Sequence, residues 1–123
     1  MTTPRTHPII SLLVVRDCPN EAPAAETLRE SLALVGHPGS FSTVVVDDLD
    51  HARLVGFTGS PSFHLEGRDL LPTGQPASLA CRLYPGVLGR LQGVPTVLDL
   101  TRALLAADPA ARGQLVGDRG ARP

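Results

Sequence analysis

Ile9-Ile10-Ser11-Leu12-Leu13-Val14-Val15-Arg16-Asp17-Cys18-Pro19-Asn20 is the stretch that decides the fold. Apart from Ser11, its first seven residues are β-branched or leucine, the composition of a strand covered on both faces. Arg16-Asp17 and Pro19-Asn20 end that strand and leave a thiol, Cys18, in the turn that follows. An amphipathic helix comes next, with Leu28, Leu32 and Val35 on one side and Glu26, Arg29 and Glu30 on the other. Pro23 fixes where it begins, because proline is tolerated only in the first helical turn. With Asn20 as N-cap, Pro23 is third in the helix; with Cys18 as N-cap it would be fifth and would break the ladder. The helix therefore starts after Asn20, stops at Gly36 and is kept from resuming by Pro38.

Further along, Phe41 to Val46 reads as a second strand. Asp47 or Asp48 caps a short helix through Leu49, Ala52 and Val55, closed by Gly56. Ser62 to Glu66 is a third strand, turned by Gly67-Arg68-Asp69, and Leu70 to Ser78 is a proline- and glycine-rich loop. Leu79 to Tyr84 is expected to be the fourth strand, with Leu79, Cys81 and Leu83 facing inward. Thr96 and Asp99 open a last helix in the manner of a capping box, with Val97, Leu100 and Leu104 on one face. The order β-α-β-α-β-β-α predicts an α/β fold, a four-stranded mixed sheet flanked by helices. One domain spans 1–107, after a loose arm at Met1 to Thr6; residues 108–123 are polar and glycine-rich and are expected to form a disordered tail.

With 123 residues and a net charge of −1, the chain has no basic stripe for nucleic acid. All eleven basic residues are arginine, so lysine Schiff-base chemistry and a phosphate-loop lysine are excluded. No apolar run is long enough to span a membrane, and no signal-peptide cleavage pattern follows Ile9 to Val15. A cytoplasmic protein with two reduced thiols is expected, with no cofactor. Two cysteines alone do not build a structural zinc site, and no histidine falls at metal-ligand spacing. His7, His37, His51 and His64 are read as surface residues, with His64 pointing opposite to Phe63 and Leu65.

Gly59-Ser60-Pro61-Ser62-Phe63 is the second decisive motif, and Pro61 lies 43 residues after Cys18. Together the two motifs resemble the thioredoxin-like superfamily over about His7 to Ala107. More narrowly, Cys-Pro-Asn, Ser-Pro and Ala80-Cys81-Arg82-Leu83-Tyr84 are similar to small bacterial thioredoxin-like proteins, some labelled alkylmercury lyases. The resemblance implies a third strand antiparallel to the first, which brings Cys18 beside a cis Ser60–Pro61 bond. Three departures stand out: Glu21 replaces the second cysteine of Cys-x-x-Cys, Asp17 replaces the usual tryptophan, and the first strand lacks a buried carboxylate.

Cys18 is thus the candidate nucleophile, at a helix N-terminus whose partial positive charge favours a thiolate, with Asp17 and Glu21 opposing. Ser60 and Pro61 are the candidate partner-binding residues. Cys81 is either a resolving thiol or a small core residue. Strand spacing places it about 10 Å from the first strand, whereas a disulfide needs Cα atoms within about 7 Å. Glu21 is either a dipole-stabilised first-turn carboxylate or an acid/base partner of the thiol. Arg82 is read as solvated, or as an attractor of an anionic partner such as glutathione. The expected function is thiol–disulfide exchange with a protein disulfide or a small thiol. The alternatives are a lyase-like or soft-metal (mercury) site of Cys18, Glu21 and Cys81, and a binding module without thiol chemistry.

Overall fold

The computed structural model describes residues 8–107, so the expected arm and the tail at 108–123 lie outside the described residues. The apolar run forms β1 (Ile10–Val14), and α1 (Glu21–Leu34) follows with Asn20 as its N-cap, where Pro23 requires it. The α1 C-terminus closes with two backbone bonds, His37 N–H to Leu32 C=O at 2.9 Å and Gly36 N–H to Ala33 C=O at 3.2 Å. These satisfy carbonyls that the last turn would otherwise leave open. β2 (Ser42–Val45) then runs parallel to β1, with Leu13 opposite Val44. α2 (Leu49–Val55) is capped by the Asp48 carboxylate, which accepts from the His51 N–H at 2.8 Å.

A short strand, β3 (Thr58–Ser60), precedes β4 (Ser62–Leu65). β4 is antiparallel to β1, with Leu13 opposite Ser62 and Ser11 opposite His64. The chain turns back at once through Glu66 and Gly67, at φ of 50° and 81°. Two consecutive left-handed residues make the tight turn that suits a hairpin. Glu66 is held there by bonds at both ends: its N–H donates to Ile9 C=O, and its carboxylate accepts the Ile9 N–H, each at 2.8 Å. The returning pair, β5 (Arg68–Asp69), takes the fourth place in the sheet, whose order is β2-β1-β4-β5. The molecule is therefore a mixed α/β fold with a four-stranded mixed sheet and three described helices.

That hairpin corrects the expectation for Leu79 to Tyr84. With the fourth place filled, β6 (Ser78–Cys81) pairs instead with β3, in parallel and outside the main sheet, with Cys81 aligned to Ser60. The facing is also reversed. Leu79, Cys81 and Leu83 are exposed, and Arg82 and Tyr84 are buried. Beyond it, β7 (Tyr84–Pro85) and β8 (Leu91–Gln92) form a small hairpin, and α3 (Val97–Ala107) packs against α1.

Apolar packing lies on both faces of the sheet. One cluster joins Leu12, Val14, Leu28, Phe63, Leu100 and Leu104; another joins Leu13, Val46, Ala52 and Phe57. The second cluster overturns the surface assignment of His64, which is only 3% exposed. The alternation that separated it from Phe63 was right, but α2 and its flanking residues cover that side too. No described helix is long and apolar enough to cross a membrane.

Candidate functional site

Cys18 sits in the turn between β1 and α1, half-buried against the first apolar cluster. Asp17 delivers it by adopting φ 59°, a left-handed conformation that aspartate accepts more readily than most side chains. The Cys18 carbonyl accepts the Glu21 N–H at 3.2 Å, so the thiol stands immediately ahead of the first helical turn. Glu21 is the first helical residue, its backbone tied to Cys18. Asn20 caps with its backbone, whose carbonyl accepts the Ala24 N–H at 2.9 Å, while its side chain makes no capping bond. That side chain lies against Gly93 instead: a Cβ at Gly93 would stand 2.4 Å from Asn20 Nδ2. Gly93 was not singled out from the sequence, because only the fold brings the segment before α3 over the Cys18 turn.

The Ser60–Pro61 peptide is cis, and both residues are buried. It lies off the same end of the sheet as Cys18, since β1 leads out toward Cys18 where β4 begins at Ser62. Four residues grip this loop. Ser60 Oγ accepts the Val15 N–H at 3.0 Å, and the Ser60 carbonyl accepts the Arg82 N–H at 2.9 Å. The Tyr84 hydroxyl donates to the Pro61 carbonyl. Ser62 Oγ donates to the Gly59 carbonyl and accepts from Arg82 Nη1 at 3.0 Å. Because Ser60 and Pro61 are buried, they shape the loop rather than offer side chains at the surface.

Cys81 is brought beside Ser60 by strand pairing, but its side chain is exposed, so the core role considered for it is set aside. Cys18 and Cys81 are both free thiols. Among the described residues, no group of three or more His, Cys, Asp or Glu side chains is placed to hold a metal ion. Cys18, Glu21 and Cys81 are accordingly not gathered as a ligand set.

Arg82 corrects a further expectation. It is 5% exposed, and its guanidinium pairs with Asp69 at 2.8 Å, donates to the Leu71 carbonyl and lies 4.8 Å from the Tyr84 ring centre. Alternation along Leu79-Ala80-Cys81 selects the apolar residues for the interior. It misses an arginine whose neutralising carboxylate lies 13 residues earlier. Burial pushes the Tyr84 phenol well above its ordinary range, partly offset by the Arg82 charge. Burial also lowers the His64 imidazole, against the pull of Asp69.

Searches against protein-family models, curated proteins and solved structures find no match to this chain.

Proposed function

We propose that this protein is a thioredoxin-like thiol–disulfide exchange protein with Cys18 as its attacking thiol. The observation that carries this is positional: a half-buried thiol just ahead of α1 stands at the sheet end that also holds the buried Ser60–Pro61 loop. Helix N-termini are a recurring setting for nucleophilic cysteines, and Cys18 stands directly ahead of the first turn of α1.

The exchange proceeds in two balanced steps. The Cys18 thiolate attacks one sulfur of a partner disulfide; that S–S bond breaks as the new one forms. The electron pair departs on the second partner sulfur, which takes up a proton. A second thiolate then attacks the Cys18 sulfur and releases the first partner sulfur as a thiol. Two thiols end as one disulfide, and the partner disulfide ends as two thiols. Cys81, exposed and aligned with Ser60, is the internal candidate for the second thiolate, and glutathione is the external one.

Mass spectrometry after incubation with oxidised glutathione tests this, using the parent protein, Cys18→Ser and Cys81→Ser. Cys18 should carry glutathione in Cys81→Ser and form a Cys18–Cys81 disulfide or a glutathione adduct in the parent. Cys18→Ser should lose turnover of a protein disulfide. Undiminished turnover in Cys18→Ser, or a Cys18 that never enters a mixed disulfide, would overturn the proposal.

A further inference from the structure

A groove of about 510 Å³ lies between the segment after β5, the β6–β7 stretch and α3. Its size is within the range of small-molecule sites. Cys18, Ser60 and Pro61 do not line it, although Arg82 and Tyr84, which hold the Ser60–Pro61 loop, do. Leu71, Pro72, Leu83, Pro85 and Pro95 give it apolar walls, and Arg82 and Tyr84 contribute to its lining. Asp99 and Arg102, on α3, supply opposite charges.

Among the described residues, neither charge has an ion-pair partner. Thr96 Oγ1 accepts the Asp99 N–H at 3.0 Å, the forward half of a capping box. The return bond, from the Thr96 N–H to the Asp99 carboxylate, is not made, and Asp99 and Arg102 do not pair with each other. Residues three apart on a helix are neighbours, with Cβ atoms about 5–6 Å apart, so the two charges are held close without cancelling. Arg82 adds a third unmet group: its buried Nε–H finds no acceptor, although Nη1 and Nη2 are both hydrogen-bonded.

We infer that this groove binds a free α-amino acid with an apolar side chain. Its ammonium group pairs with Asp99, its carboxylate with Arg102, and its side chain lies on Leu71, Pro72, Leu83 and Pro95. A simple carboxylate would meet repulsion from Asp99, and a simple amine would meet repulsion from Arg102. A neutral apolar molecule would strip water from both charges and return nothing. An α-amino acid carries the two opposite charges on one carbon, with an apolar group beside them.

The test is a titration of the full chain, labelled with 15N, with L-phenylalanine up to ~10 mM, a range that reaches weak small-ligand affinities. Shifts should be confined to residues around Thr73, Leu83, Tyr84 and Arg102. N-acetyl-L-phenylalanine, which lacks the ammonium group, and L-phenylalaninamide, which lacks the carboxylate, should each bind about tenfold more weakly or worse. Asp99→Asn should weaken L-phenylalanine by a similar factor and leave N-acetyl-L-phenylalanine unimpaired, and Arg102→Gln should likewise weaken L-phenylalanine and leave the amide unimpaired. Three results would each overturn the inference: no shifts with L-phenylalanine, shifts centred elsewhere, or equal affinity for all three compounds. The compound series needs no substitution, so a variant that failed to fold would not blur the outcome.

Discussion

Ser60 Oγ accepts the Val15 backbone N–H at 3.0 Å, in the register position where the two strands would otherwise continue their ladder. The Ser60 carbonyl, which would accept that N–H in a regular ladder, accepts the Arg82 N–H instead. A side chain takes over the bond. Ser60→Ala should therefore leave the Val15 donor unmet and cost about 1–2 kcal/mol, read as a lower denaturation midpoint at unchanged slope.

Gly59 holds the other side of this loop. At φ 134° it occupies backbone that L side chains rarely adopt, and a Cβ there would stand 2.9 Å from Arg82 Cβ. Gly59→Ala should force β3 away from β6 and destabilise by about 2 kcal/mol or more. Thermal unfolding measures this, and a midpoint within a degree of the parent would contradict the close approach.

The Arg82–Asp69 pair offers a double-mutant test. Side-chain exposures of 4% and 11% mean that removing one partner strands the other charge away from water. Arg82→Met alone should cost about 3–5 kcal/mol. Arg82→Met combined with Asp69→Leu should recover a good part of that loss, because no unpaired charge remains. Equal losses in the single and double variants would show that the Ser62 and Leu71 bonds, not charge pairing, set the cost.

Tyr84 is the only tyrosine in a chain without tryptophan, so its ionisation can be followed alone by ultraviolet absorbance. Burial raises its folded-state pKa above the unfolded value near 10. Above that pH the unfolded chain loses a proton that the native chain keeps, so stability must fall as pH rises further. The absorbance should stay flat past pH 10 and then rise together with the loss of helical signal. A phenolate that appears near pH 10 in an intact fold would refute the burial argument.

His64 gives the opposite limb. Its folded pKa is lowered, chiefly by burial, so below about pH 6.5 the unfolded chain takes up a proton that the native chain refuses. Stability should be level above that pH and decline below it, by at most about 1.4 kcal/mol per pH unit from this group. Urea titrations from pH 7.5 to 5.0 read this slope, and His64→Asn should flatten it.

Much of this fold was legible because single residues constrained it. Pro23 located the start of α1, the Ile9–Val15 run located β1, and Asp47 or Asp48 with Gly56 bracketed α2, where the structure selects Asp48. The antiparallel third strand that sets Cys18 and Pro61 at one end of the sheet was implied by the resemblance of their motifs, not by strand order. What was not legible depended on partners distant in sequence. The Glu66–Gly67 turn filled the sheet's fourth place, and the Asp69 carboxylate drew Arg82 inward in place of Leu83. Likewise, alternation assigned His64 to a face but could not say that α2 would cover that face. Exposure of Cys81 follows from the same reversal.

The loop at Ser60 and Pro61 is held by Val15, Arg82 and Tyr84, residues drawn from most of the described chain. No short peptide contains both the loop and its restraints. Its shape is therefore not portable: a graft of the motif into another scaffold would carry the letters but not the conformation. Insertions are best tolerated where the chain owes the loop nothing, as in the exposed stretch from Pro72 to Pro76. Variation there can alter the molecule's outline while the Cys18 end keeps its form.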